Sequence, residues 1–412
     1  MQNPLSKHRA SRLVFPFLFA VGLPAQVQMT GSGPGGSVRV LNTDLAILEI
    51  KEERKDLPCA VAPAKPLLGF DLRFHAGYEV SVPLRDLAGG ENMLTILFRV
   101  TKPDAAEQPP VYFTQRVRVP AIEEGAKGDA FLQGGFDLGE GNYHVDWLMR
   151  DRSERVCSAY WDVEASLAPK DRDVALQIEA GRVQASSNEQ FQEEPPVERA
   201  TAEPPLNVKM LVNFAPQNAH AATLQPMDTS ALVSILRTIS REPRIGKFSL
   251  TAFNLQEQRV VFRQADADRI DFPALGEALE TLKLGTVDLT RLSQKHGEAA
   301  FLTDLIRKEA SSGESPLDAL IFAGPKAFLD SNPQQEALKE IGEIEFPVFY
   351  MNYNLSPQAS PWRDAISHAV RFFKGQEFTI TRPRDLWFAV TDMVSRIVKS
   401  RHERRSSAAS TQ

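Results

Sequence analysis

The chain has 412 residues, more than one hydrophobic core usually serves, so two domains are expected. Its 42% hydrophobic and 24% charged residues are the composition of a globular protein. A net charge of -6 and an isoelectric point near 5.8 give no overall basic character for holding a phosphate backbone, which excludes nucleic acid as the expected partner.

Residues 1–25 read as a signal peptide. Lys7, Arg9 and Arg12 precede an apolar run from Leu13 to Leu23, which Pro24, Ala25 and Gln26 follow. As a helix that run would span only about 16 Å, against a hydrocarbon core of roughly 30 Å. No other run approaches spanning length, so no membrane span is expected after signal removal. The expected location is therefore exported, periplasmic or secreted. Cleavage removes three of the 47 basic residues and no acid, taking the net charge from -6 to about -9. In an oxidising compartment the two cysteines, Cys59 and Cys157, are the one possible intramolecular disulfide. Two buried free thiols are the alternative.

Residues 38–180 alternate apolar and polar positions between Gly, Pro and Asp turn signals. The expected strands include VRVLNTDLAILEI at 38–50, GYEVSVPL at 77–84, MLTILFRV at 93–100, VYFTQRVRV at 111–119, NYHVDWLM at 142–149 and CSAYWDVEA at 157–165. In NYHVDWLM one face carries Tyr143, Val145, Trp147 and Met149, the other carries His144, Asp146 and Arg150, and Leu148 breaks the alternation. The reading is an antiparallel β-sandwich of immunoglobulin-like or fibronectin-like type, closed by a hairpin that turns at 152–154. Residues 181–205, rich in Pro, Glu, Gln and Ser, cannot bury enough surface to offset their ordering entropy and read as a stiff linker.

From Asn207 apolar strands alternate with amphipathic helices, starting with NVKMLVNF at 207–214 and a helix over 229–242. Two extended runs, 248–253 and 259–263, form a hairpin. Helices are expected near 273–284, 289–310, 334–341, 362–373 and 384–399, with strands at 319–323, 347–352 and 377–380. The pattern predicts a doubly wound α/β domain over 206–400 with a mostly parallel sheet and one antiparallel edge strand. The polar residues 401–412 read as a disordered tail.

This order of elements resembles the von Willebrand factor type A (VWA) fold. That family holds a divalent cation with an Asp-x-Ser-x-Ser first loop, a Thr in the second loop and an Asp in the third, and the resemblance would imply a partner carboxylate on the ion. Here the first loop reads Asn213, Phe214, Ala215, Pro216, Gln217, the third puts Ala323 and Gly324 where Thr-Asp would stand, and Thr286 alone matches a ligand. A loop of Asn, Ala and Gln lacks the anionic oxygen that magnesium requires, so no metal and no cofactor are expected. The crevice beyond the strands' carboxyl ends remains the default binding surface, with Asn213, Gln217, Thr286 and Lys326 as candidate binding residues. Lys326 places a positive charge where the metal's would have been.

No catalytic residues are assigned. The seven histidines form no HExxH or close pair, and the chain has no GxSxG elbow, no phosphate loop and no complete dinucleotide fingerprint. The expected function is a non-enzymatic protein-binding or envelope-assembly module. The alternatives are a Rossmann-type nucleotide-dependent enzyme, which NFAPQNAH after the first strand lacks the glycines to support, and a purely structural envelope component.

Overall fold

The computed structural model describes residues 30–31, 40–104, 109–186, 190–201, 204–218, 221, 223–282, 284, 297–311, 316–329, 331–358 and 361–410. The expected signal segment and Thr286 lie outside them.

The first half builds two antiparallel sheets. One has the order β1 (Thr30–Gly31), β5 (Val111–Val119), β4 (Asn92–Thr101), β7 (Gly141–Arg150), β8 (Val156–Ala165). The other has the order β2 (Ala60–Leu68), β3 (Phe74–Pro83), β6 (Asp129–Leu138), β9 (Val183–Ala185). Alternate residues of both sheets face one shared core, including Phe74, Tyr78, Phe98, Phe113, Phe136, Tyr143 and Trp147. Tyr78 stands edge-on to Trp147 at 5.4 Å, and its hydroxyl donates to Gln115 Oε1 at 2.8 Å. A buried tyrosine thus places its ring in the core without leaving its O–H unpaired. Cys59 and Cys157 form the disulfide and tie the start of β2 to β8.

The alternating run at 38–50 departs from the strand reading. Residues Asn42–Ile50 form helix α1, which lies against the outer face of the five-stranded sheet. Leu48 packs there on Leu97, Leu148 and Val156. This also accounts for Leu148, whose apolar side chain on the otherwise wet face of β7 is roofed by α1. Asp44 pairs with Arg150 at 3.1 Å, and Tyr160 donates to the Ile47 carbonyl at 3.0 Å.

The second half forms a six-stranded sheet in the order β12 (Arg259–Ala267), β11 (Ile245–Asn254), β10 (Leu206–Asn213), β13 (Ala319–Pro325), β14 (Val348–Tyr353), β15 (Gln376–Ile380). All neighbours are parallel except β12, which runs antiparallel along the edge. The central strands β10, β13 and β14 are buried on both sides, which explains their near-continuous apolar sequences. Helices α2 (Pro226–Ser240), α3 (Phe272–Leu279) and α7 (Pro383–Ser410) share a core with one face. The other face takes α4 (Gly297–Ser311), α5 (Gln335–Lys339) and α6 (Ala365–Phe372). Pro226 opens α2 behind a reciprocal cap between Gln225 and Asp228.

Residues 401–410 continue α7 where a disordered tail is expected. Arg401 and Arg404 hold them down. Both reach the Asp318 carboxylate, and they also donate to the carbonyls of Pro204, Pro205 and Leu317. Such charge-assisted contacts are long-range in sequence, so a local reading of polarity does not find them.

Residues 190–201 lie against the α/β half as an extended strap. Glu194 pairs with Arg237 and Arg241, both at 2.7 Å, and Arg199 donates to the carbonyls of Ser240, Glu242 and Asp268. The two halves also touch directly. Phe70, in the turn between β2 and β3, stands edge-on to Tyr353 at 5.8 Å, and Asp171 pairs with Arg384 at 2.9 Å.

Candidate functional site

In a mostly parallel sheet the loops beyond the strands' carboxyl ends gather side chains from distant parts of the sequence. Here those are the loops after β10, β11, β13, β14 and β15. Asn213 ends β10 with 1% of its surface exposed, and its Oδ1 accepts from Leu255 N at 3.2 Å. The neighbouring Asn254, at the end of β11, donates to the Phe214 carbonyl at 2.7 Å. The two asparagines therefore stitch loop to loop. Gly324 approaches Asn213 so closely that a Cβ on it would lie 2.9 Å from Asn213 Cβ, so any larger residue would push the two loops apart.

The other candidates are placed apart from that contact. The backbone N–H of Gln217 donates to Asp228 at the start of α2, while its Nε2 is buried with no hydrogen-bond partner among the described residues. Burial raises the Asp228 carboxyl above its usual range, against the opposing bonds from Gln217 and Gln225. Lys326 Nζ donates to the Trp362 carbonyl at 2.6 Å, joining the loop after β13 to the loop after β14. Thr286 lies outside the described residues.

A network that the sequence reading did not single out organises the same two loops. Asp364 is 1% exposed. Its Oδ2 accepts from Ala327 N at 2.7 Å and from the Tyr350 hydroxyl at 3.1 Å. Its Oδ1 caps α6 through Ser367 N at 3.0 Å and also accepts from the Ser367 hydroxyl. Burial, then the nearby Asp364 and Glu377 charges, hold the Tyr350 hydroxyl far above its ordinary value, so it stays a donor. The one local sign in the sequence is an aspartate immediately before an amphipathic helix.

Large apolar side chains stand exposed around this frame. Among the described residues, the large hydrophobic side chains exposed on the α/β half are Met227, Phe328, Leu355, Trp362 and Phe388. Each lies in a loop after β13 or β14, or in the opening turns of α2 or α7, and so at the carboxyl end of the sheet. Trp362 is 69% exposed.

One titratable cluster lies elsewhere, where the sandwich faces α2. His75 Nδ1 is 2.8 Å from Asp137, its Nε2 is 2.9 Å from Asp71, and Arg73 reaches Asp137 at 3.6 Å. One ligand atom from each of Asp71, His75 and Asp137 lies within 4.8 Å of the others, but each ring nitrogen faces its own carboxylate and Arg73 reaches both, so a doubly protonated ring satisfies the pair. Two cations and two carboxylates make this an ion-pair network. Burial opposes the charged ring, but hydrogen bonds to Asp137 and Asp71 raise His75 from 6.5 to about 10. For Asp71 burial acts upward, and His75 and Arg73 together hold it below 3.8.

The signs follow by linkage. The His75 contribution is complete below pH 6.5 and is lost as pH rises through about 10, while the Asp71 contribution is lost as pH falls below 3.8. The His75 side chain is 42% exposed, so solvent screening limits the effect to about 1 kcal/mol. Urea unfolding of the parent between pH 6 and about pH 10.5 is expected to show this loss, and His75→Gln to flatten it. Parallel pH profiles in the two proteins would assign the loss to other groups.

Compared with models of known protein families and with curated proteins, the chain matches none. Solved structures give distant likenesses. A superoxide reductase (neelaredoxin) from Ignicoccus hospitalis is 11% identical over 29% of this chain and 86% of its own, with a TM-score of 0.18. A mutant of the PilB minor pilin from Streptococcus sanguinis is 7% identical over 76% of this chain and 88% of its own, with a TM-score of 0.27. A β-glucuronidase from Bacteroides uniformis is 11% identical over 74% of this chain and 39% of its own, with a TM-score of 0.19. Similarity at that level carries no argument about fold or activity, so the functional reading rests on the residues themselves.

Proposed function

We propose that the chain is an exported, non-enzymatic module for protein binding or envelope assembly, and that its VWA-like α/β domain grips a protein partner without a metal ion. The observation that carries this reading is the gathering of Met227, Phe328, Leu355, Trp362 and Phe388 at the carboxyl end of the sheet. Exposed apolar side chains concentrated on one face mark an interaction site more often than a chance surface. The family resemblance is supported by the strand order β12-β11-β10-β13-β14-β15 with its antiparallel edge strand. Binding without an ion is favoured because Asn213 Oδ1 is already committed to Leu255 N, and Lys326 reaches the carbonyl of Trp362. Export is supported by the charged-then-apolar start of the sequence and by the Cys59–Cys157 disulfide. No helix among the described residues is long and apolar enough to cross a membrane.

The test is crosslinked capture of partners from the exported fraction by the full chain, beside Phe328→Ala/Trp362→Ala. A buried aromatic anchor at an interface is worth about 2 kcal/mol, so the double variant is expected to lose tenfold or more of its capture. Capture unchanged in that variant would remove the carboxyl-end face from the reading, and capture abolished by EDTA would overturn its metal independence.

A further inference from the structure

A second surface lies between the strap, the first turn of α2 and α3, and borders the carboxyl-end face at Leu224 and Thr229. A cleft of about 1000 Å³ opens there. Its apolar lining is Phe191, Leu224 and Leu279, and Glu193, Glu277 and Glu280 line it as well. Phe191 is seated by the absence of a side chain at Gly276, where a Cβ would lie 2.7 Å from the ring. The strap thus forms a fixed wall of the cleft.

The charges are one-sided. Among the described residues no lysine or arginine lines the cleft. The arginines on the elements around it already have carboxylate partners: Arg237 is on Glu194, Arg259 on Glu257 and Arg269 on Glu193. Glu277, in the last turn of α3, and Glu280, the residue that caps its end, are exposed, with no cationic partner among the described residues. Like charges three residues apart on a helix destabilise it, and a cation between them relieves the repulsion. An apolar floor beneath unpaired carboxylates is complementary to a chain that alternates apolar and basic side chains.

We propose that this cleft binds a basic, amphipathic peptide segment of a partner protein, its apolar side chains against Phe191, Leu224 and Leu279 and its lysines or arginines on Glu277 and Glu280. The test is fluorescence anisotropy of the full chain with a labelled short peptide of alternating Leu and Lys, and with a Leu/Glu peptide as control. Binding of the basic peptide alone is expected. Glu277→Lys/Glu280→Lys should weaken it about tenfold or more, whereas Glu343→Lys/Glu345→Lys, the same charge change elsewhere on the surface, should leave it within about twofold. Thr229→Trp should weaken binding by filling the cleft without changing charge. Thermal unfolding checks that each variant is folded. No binding at millimolar peptide, equal weakening by both charge reversals, or full binding by folded Thr229→Trp would each overturn the proposal.

Discussion

Replacing both cysteines, as Cys59→Ala/Cys157→Ala, is expected to lower the stability of the sandwich by roughly 3 to 5 kcal/mol. The bridge closes a loop with a sequence separation of 98, so in the chain-entropy account it removes much of the unfolded chain's freedom. Its position adds to that effect. β2 belongs to the four-stranded sheet and β8 to the edge of the five-stranded one, so the bond clamps the two sheets where no ladder joins them. Residues 54–57 already lean on β8, with Leu57 N donating to the Val156 carbonyl and Ser158 N to the Arg54 carbonyl, and the bridge fixes the chain that follows. Alanine is the better replacement, because Cys157 is fully buried and a serine there would bury a hydroxyl. Urea unfolding with and without reductant makes the measurement. The reduced parent should coincide with the double variant, and a parent unmoved by reduction would show that the bridge contributes nothing.

The sandwich was legible because its strands are half-buried, and burial on one face writes a period of two into the sequence. Tyr143, Val145, Trp147 and Met149 follow that rule and line the core. The segment at 38–50 shows where the rule runs out. Its apolar residues satisfy both an alternating and a helical reading, and contact with Leu97, Leu148 and Val156 decides between them. Leu148 out of phase was a sign that something covers the wet face, but it could not say what. At the carboxyl end of the α/β sheet, Asn213 and Lys326 could be named because a resemblance pointed to those loops. Their bonds to Leu255 and Trp362 could not, since loop conformation decides them. Asp364 was the hardest to see, because three of its four donors are in Tyr350, Ala327 and a side chain that only the folded helix presents.

Asp364→Ala is expected to cost roughly 3 kcal/mol or more, since it strips a buried carboxylate from four donors at once. The Ala327 N–H would be left buried, the Tyr350 hydroxyl would keep only the carbonyls beside it, that of Pro325 at 3.1 Å, and α6 would lose its cap. Asp364→Asn should cost less: its Oδ1 can still cap the Ser367 N–H, but its Nδ2 hydrogens meet the Ala327 N–H donor. Tyr350→Phe removes one hydroxyl, whose proton is shared between Asp364 Oδ2 and the Pro325 carbonyl, both at 3.1 Å, and should cost about 1 kcal/mol. That order across the three variants separates a satisfied network from a mere loss of volume, which Asp364→Asn scarcely changes. A drop below about 0.5 kcal/mol for Asp364→Ala would mean that the carboxylate is not holding the loops. The same substitution also reaches the proposed function. Phe328 follows Ala327 by one residue, and Trp362 precedes Asp364 by two, so the aspartate sets the spacing of two exposed aromatic side chains while remaining 1% exposed itself. Asp364→Ala should therefore speed amide hydrogen exchange in residues 325–329 and 353–358 and weaken partner capture, although Asp364 itself cannot touch a partner. Normal capture by a destabilised but folded Asp364→Ala would detach the apolar face from its frame, and binding would then have to rest on Met227 and Phe388 across the sheet.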